Sequence, residues 1–432
     1  MAYNDYSSRY RSSSTSRPVA TISTYNNTYS RHSLSTNHKY SQKGKNVVTY
    51  SDNETKHSSY PVKTEKLSIN SAIGLSCKTP DEDIAINSRQ AEEYFISTVG
   101  LRNLGNTCFM NSTLQCLVNT RLVRKFCSNF TLPINGRRKG ALVKAFANLV
   151  SEITSTSSTY VAPFDFKSEI SRYAPVFDGY GQHDAQEFLI FLLEGLHDDL
   201  NTIPKKPTYK FDIEESLSDS AKSEEAWRRY QSREKSVVID TFVGQLKSTL
   251  TCTVCDYKSV TYDPFFDLSV PLPKSNLSSS YSSTINLKSC IDEFTKLETL
   301  EGDEKPMCAR CKKHQKCSKK FSIQRFPKIL VIHLKRFSAT RMRKLSTNVS
   351  FPTADLNLQP YASSDNSSGS TRYSLYGVIN HCGSVYGGHY TAYCRDASSS
   401  KWYSYNDTRV IELYDDKNVC SPEAYVLFYQ QR

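Results

Sequence analysis

No stretch of this 432-residue chain approaches the ~20 apolar residues that a membrane-spanning helix needs. The opening residues, Met1-Ala2-Tyr3-Asn4-Asp5-Tyr6, hold no apolar run of the kind a secretory leader carries. Internal repeats are also absent. The expectation is a chain that meets no membrane and works in the cytoplasm, with the nucleus also open to it. Its 13 cysteines are an odd number. In a reducing compartment they point to metal binding and catalysis rather than to a disulfide framework. The net charge is +12, but no interleaved basic and aromatic motif accompanies it, so no nucleic-acid partner is expected.

Apolar residues are unevenly spread. Hydrophobic types make up 38% of the chain, enough for a core, yet the mean hydropathy is low at -0.52. Much of the shortfall lies in residues 1–66, where Ser, Thr, Tyr and Asn dominate and ten Lys/Arg face four Asp/Glu, supplying half of the net charge. Such a segment buries too little apolar surface to offset its ordering entropy. Residues 1–96 are therefore expected to form a disordered basic tail ahead of a globular region over 97–432.

From Gly100 the pattern tightens. Leu142, Phe146, Leu149 and Ile153 recur at helical spacing and predict a helix over 141–154, followed by a shorter one carrying Phe166 and Ile170. Phe188, Leu192, Leu196 and Leu200 mark a further helix, with Asp184 and Glu187 in the spacing of an N-terminal cap. Residues 215–235 read as a charged, half-exposed helix around Trp227. After Val237 the texture changes to strands, interrupted by a Ser-rich loop from Lys274 to Asn286. Phe321 to Phe337 reads as one buried strand, and Tyr373 to Asn380, Gly388 to Arg395, Lys401 to Asn406 and Tyr425 to Tyr429 complete a β-rich half. Helices early and strands late predict an α+β architecture.

Three groups of residues carry chemistry. In Gly100-Leu101-Arg102-Asn103-Leu104-Gly105-Asn106-Thr107-Cys108 a loop rich in glycine and amides runs into a thiol, and an apolar-periodic segment follows at once. Cys108 thus falls at a helix start, where unpaired N–H groups and the dipole favour the thiolate, with Asn106 and Thr107 as capping types. A cysteine at such a place is still more often plain core. Cys252-Thr253-Val254-Cys255 and Cys308-Ala309-Arg310-Cys311 form two CxxC pairs with 52 residues between them. Two such knuckles make a four-thiolate site for one structural Zn²⁺, with His314 and Cys317 near enough to compete as ligands. Near the C-terminus, Tyr386-Gly387-Gly388-His389-Tyr390 enters a strand, and a turn over Asp396 to Lys401 leads to Trp402 through Asp407. A symmetric hairpin pairs Arg395 with Trp402. Alternation then sets His389 and Asn406 on one face as diagonal neighbours, with Asp407 on the other. A histidine flanked by an amide is the base and orienter of a Cys-His-Asn arrangement.

In that order, the loop around Cys108, the stretch from Gly179 to Phe188, both CxxC pairs, Gly387 to Tyr393 and Trp402 to Val410 resemble the ubiquitin-specific protease family of deubiquitinases. Ala226-Trp227-Arg228-Arg229-Tyr230, Phe242 to Leu246 and Lys319 to Phe337 resemble a compact subgroup of it. The likeness spans roughly residues 97–432. It implies a papain-like cysteine protease core built as a helical thumb, a β palm and zinc-bearing β fingers over roughly 238–325. It further implies Cys108 as nucleophile, His389 as general base and Asn406 as third member. Asn103 would be an oxyanion donor beside the Cys108 N–H, and Asp407 an acidic neighbour. Asp184 would bind a basic residue of ubiquitin's tail, unless it serves only as a helix cap. Gly387, Gly388 and Tyr390 would line a passage too narrow for side chains.

The expected partners are ubiquitin and ubiquitinated proteins, met by a monomer whose catalysis needs no cofactor. Two alternatives remain open on the sequence, a ubiquitin-binding scaffold without turnover and a protease for another ubiquitin-like modifier.

Overall fold

The computed structural model describes residues 98–128, 140–209, 212–273, 284–338, 343–365, 369–396 and 399–432. The tail expected over 1–96 lies outside these, as does most of the expected Ser-rich loop. That loop's last two residues, Ile285–Asn286, form a short strand paired in parallel with Val349–Ser350.

The early part is helical, as the apolar spacing predicts. The helices are α1 (Cys108–Val118), α2 (Arg121–Ser128), α3 (Ala141–Ser155), α4 (Phe164–Tyr173), α5 (Ala185–Leu200), α6 (Asp219–Gln231), α7 (Val237–Phe242) and α8 (Leu287–Thr295). All eleven residues of α1 are buried. This follows from its place between α5 and the palm sheet, and it explains why α1 shows no polar face. α3 buries the periodic face that predicted it, Leu142, Phe146, Leu149 and Ile153.

α7 corrects the strand texture expected after Val237. Its β-branched residues suggest a strand, but Ser236 caps it by accepting from the Ile239 N–H, and Val238, Ile239 and Phe242 are buried. Cap and burial outweigh propensity over six residues. α8, capped by the Asn286 side chain on the Lys288 N–H, was not anticipated either.

Two sheets carry the late part. The palm is eight-stranded. Its main path runs Arg409–Leu413, Trp402–Asn406, Gly387–Arg395, Arg372–Ser384, Ala424–Gln431, Ile329–Lys335 and Asp267–Pro271. All neighbours are antiparallel except the last two strands, which run parallel. The finger sheet orders Lys258–Phe265, Gly244–Cys252, Cys317–Arg325 and Glu298–Leu300.

The single strand expected over 321–337 is therefore two, ending in one sheet at Arg325 and starting in the other at Ile329. Pro327 lies in the break, and with no N–H it cannot carry the ladder across. The chain makes a second crossing of the same kind between Phe265 and Asp267.

One apolar core fills the space between the thumb helices and the α1 side of the palm, drawing in Phe109, Phe188, Ile379 and Phe428. A second lies under the other palm face with α8, around Leu330, Ile332, Tyr373 and Trp402. The His389 strand is thereby supported on both sides.

Candidate active site

The loop before α1 is tied by side chains that the sequence marks only as turn formers. Gly105 has φ +107 and Asn106 φ +54, so the backbone doubles back just ahead of the thiol. Asn103 Oδ1 accepts from the Gly105 N–H at 3.0 Å and the Thr107 N–H at 3.1 Å. Thr107 precedes the helix but does not cap it with its side chain. Its hydroxyl accepts from the Leu104 N–H at 2.8 Å, so the expected capping roles of Asn106 and Thr107 give way to loop bonds. No side-chain oxygen then competes for the first-turn N–H groups. The amides of Phe109 and Cys108 turn toward the Cys108 sulfur, as does that of Tyr390.

Those amides favour the thiolate, as the helix-start argument expects, but they do not prevail. Cys108 is 4% exposed, and burial, aided by the Asp407 charge, pushes the thiol above its ordinary 9.0. Burial therefore works against a standing thiolate in the free protein. The expectation of a thiolate set by the helix start is corrected by desolvation.

The hairpin has the expected register. Arg395 pairs with Trp402 and Ala392 with Tyr405, where the pairing stops. His389 Nε2 lies 2.8 Å from Asn406 Oδ1 across the same face. Asp407 follows at φ +49, and its carboxylate leaves this face. Its Oδ2 accepts from Asn103 Nδ2 at 3.0 Å and its Oδ1 from Asn111 Nδ2 at 2.8 Å, while its backbone oxygen accepts from the Leu101 N–H at 2.8 Å. Asp407 thus joins the turn after Asn406 to the loop before Cys108. Asn103 keeps a second Nδ2 hydrogen not used by Asp407.

Asp184 caps α5, with Oδ1 accepting from the Gln186 N–H at 2.7 Å and the Glu187 N–H at 3.4 Å. Its Oδ2 accepts from the Tyr425 hydroxyl, and burial raises its carboxyl above the usual range. Tyr390 is only 7% exposed, its ring held against His381 and Tyr425. What it offers the cleft is its amide. A Cβ on Gly388 would lie 2.3 Å from the Cys382 carbonyl oxygen and 2.3 Å from His381 Nε2, so only glycine fits there.

Sequence reasoning missed Asn111 and Gln182. Asn111 is buried one turn after Cys108, and an amide inside an apolar helix was the available signal. Gln182 Oε1 accepts from the Gly388 N–H at 3.1 Å, a contact across 206 residues that no local pattern announces.

At the finger tip the sulfurs of Cys252, Cys255, Cys308 and Cys311 lie within 4.8 Å of one another. Cys255 and Cys308 are 3.6 Å apart, Cys252 and Cys311 4.0 Å, near the ~3.8 Å edge of a tetrahedron with metal–sulfur bonds of ~2.3 Å. Both knuckles share one backbone design. Asp256 (φ +55) and Lys312 (φ +56) each follow the second cysteine and donate their N–H to the carbonyl of the first, at 3.0 and 2.8 Å. The Cys311 and Arg310 amides bring the Cys308 thiol down to about 7. Four thiols with this spacing fit a metal ion that prefers soft ligands. His314 stands outside the cluster, exposed, with Nδ1 2.8 Å from the Lys305 oxygen. Cys317 is buried opposite Cys252 in the ladder and is not among the four.

A sequence model of the ubiquitin carboxyl-terminal hydrolase family matches residues 99–429. Human ubiquitin carboxyl-terminal hydrolase 2 is 47% identical over 359 residues, covering 82% of this chain and 57% of its own length. The chicken protein of that name is 51% identical over 338 residues, covering 77% and 92%. Human ubiquitin carboxyl-terminal hydrolase 21 is 43% identical over 353 residues, covering 77% and 61%. The chain spans 57–58% of the length of the first curated relatives it matches. Among solved structures, the SAGA DUB module bound to monoubiquitin aligns at TM-score 0.61 and 26% identity, covering 80% of this chain and 72% of the matched one. The same module bound to ubiquitin aldehyde aligns at 0.60 and 28%, covering 79% and 71%.

Proposed function

The chain belongs to the ubiquitin carboxyl-terminal hydrolase family, and from that premise we propose that it is a thiol-dependent deubiquitinase. Its reaction is hydrolysis of the isopeptide or peptide bond after the C-terminal glycine of ubiquitin. The observation that carries the reading is the His389–Asn406 pair at 2.8 Å on the strand whose next amide, from Tyr390, donates to the Cys108 sulfur.

Asn406 Oδ1 is an acceptor, so His389 Nε2 carries the proton and Nδ1 is left as the basic nitrogen. Burial raises the Cys108 thiol, and His389 acts as the general base that takes its proton at the moment of attack. The Cys108 sulfur adds to the carbonyl carbon. The oxyanion is met by the Cys108 N–H and by the Asn103 Nδ2 hydrogen that Asp407 leaves free. His389 then protonates the leaving lysine amine, and afterwards takes a proton from the water that releases the acyl-enzyme.

Asp407 positions Asn103 through the bond at 3.0 Å. The glycines at 387 and 388 admit a substrate backbone, with the Tyr390 amide beside it. Asp184 presents lone pairs that its cap and Tyr425 bonds leave unused, and these suit a basic residue of the tail.

The four finger-tip cysteines hold one Zn²⁺, which fixes the strand ends and supplies no step of the reaction. Partners are ubiquitin and its conjugates, met by a monomer away from membranes and nucleic acid. A cytoplasmic or nuclear setting suits a cluster that needs reduced thiols. The test is covalent labelling by ubiquitin bearing a C-terminal electrophile. Labelling that Cys108→Ser abolishes is expected, and an intact protein that stays unlabelled overturns the reading.

A further inference from the structure

The strand Gly387–Arg395 has two edges. One is paired with Arg372–Ser384 along almost its whole length, from Gly387 to Cys394. The other meets Trp402–Asn406 only from Arg395 back to Ala392. Among the described residues no strand lies beside this second edge ahead of Ala392. Alternation sends the backbone groups of every second residue toward it, here those of 390 and 388. The Tyr390 amide on this edge donates to the Cys108 sulfur. One step further, ~7 Å along the strand, the Gly388 N–H donates to Gln182 Oε1 at 3.1 Å, and Gln182 Nε2 donates to the Gly388 carbonyl at 3.5 Å.

A carboxamide carries the donor and the acceptor of a peptide group. Gln182 therefore fills, from within the chain, the pairing position that one peptide group of an added strand takes. A substrate whose carbonyl carbon sits at the Cys108 sulfur, and whose preceding residues run extended along this edge, presents its next peptide groups at Gly388. Substrate and Gln182 need the same two backbone atoms.

The residues around Gln182 are held while its own side chain is exposed. Asn106 Nδ2 donates to the Tyr180 carbonyl at 2.8 Å. The His183 ring sits edge-on to Phe109 and Phe177, with centroids 5.2 and 5.1 Å away. Turning Gln182 outward thus requires side-chain torsions alone, with the loop left in place.

We infer that Gln182 is a specificity-determining residue of the cleft, an internal competitor that holds the Gly388 edge until an extended peptide tail replaces it. A tail gains this position only by offering a free peptide N–H and C=O in an extended run. The identity of that tail rests on the deubiquitinase reading, whereas the Gln182–Gly388 clasp does not.

The experiment compares wild type with Gln182→Ala and with Gln182→Met, which keeps length and bulk but has no amide. For hydrolysis of a ubiquitin C-terminal amide substrate, KM falls about two- to tenfold in both variants with kcat little changed, the effect of removing a competing neutral hydrogen-bond pair. KM unchanged or raised in the two variants overturns the inference, because Gln182 is then a wall or a substrate contact. Hydrogen exchange at the Gly388 amide of the free protein gives a readout that needs no substrate. It is expected to be protected in wild type and to speed up in both variants, and equal exchange in all three proteins also overturns the clasp. If wild type hydrolyses no ubiquitin derivative, the functional reading fails, and Gly388 exchange still decides the clasp.

Discussion

At the finger tip, four thiols come from two copies of one local turn; in the cleft, Cys108 meets the His389 strand through the Tyr390 amide, with Cys108 and His389 281 residues apart in the chain. Each knuckle is complete within five residues, and Asp256 and Lys312 repeat the same left-handed backbone and the same N–H to carbonyl bond. Only the docking of Gly244–Cys252 against Cys317–Arg325 is needed to bring the two together. The cleft has no such local unit. Cys108 depends on α1, His389 on a palm strand, and Asn103 on a carboxylate from the hairpin turn. The amides also act differently. At Cys308 they bring the thiol down to about 7, while at Cys108 burial outweighs them and the thiol rises.

The sharpest break in that contrast is Cys108→Ser. It is expected to lower turnover of a ubiquitin substrate by about 10⁴-fold or more while metal content by elemental analysis stays at wild-type level. Cys252→Ser should do the reverse. Zinc is lost and the thermal unfolding midpoint falls, whereas iodoacetamide still alkylates Cys108. Unchanged metal content in that variant means that the four ligands are wrongly assigned.

Asn103→Ala probes the assembled side more finely. With one oxyanion donor gone, kcat is expected to drop about 10²- to 10³-fold with little change in KM. An equal loss expressed in KM alone argues that Asn103 binds substrate rather than stabilising charge. The smallest effect is a titration. Alkylation needs the thiolate, so with the Cys108 thiol raised its rate in the free protein should keep climbing with pH beyond 9. Removing the charge in Asp407→Asn shifts the curve toward lower pH. A wild-type rate that levels off below pH 8 contradicts the burial argument.

Much of this was legible in the residues. The periodicity of Leu142, Phe146, Leu149 and Ile153 predicts α3, and hairpin parity places His389 with Asn406. The spacing Cys-x-x-Cys marks the four cysteines that cluster at the finger tip. What failed did so where local preference met tertiary demand. Val237-Val238-Ile239 has strand propensity, yet a Ser cap and a buried face make it helical. Phe321 to Phe337 alternates like one strand, yet the chain changes sheets at Pro327.

By itself, then, the sequence determined the chemistry present and the elements that carry it: a thiol at a helix start, a histidine with an amide on its flank, and two thiolate knuckles. These follow from side-chain type and from short-range periodicity, which act over a few residues. Tertiary structure alone decided that burial raises the Cys108 thiol, that the Asp407 carboxylate accepts from Asn103 and Asn111, and that Gln182 lies on the Gly388 edge. Each of these depends on burial or on a hydrogen bond between residues far apart in the chain, and neither desolvation nor a distant partner leaves a local signature.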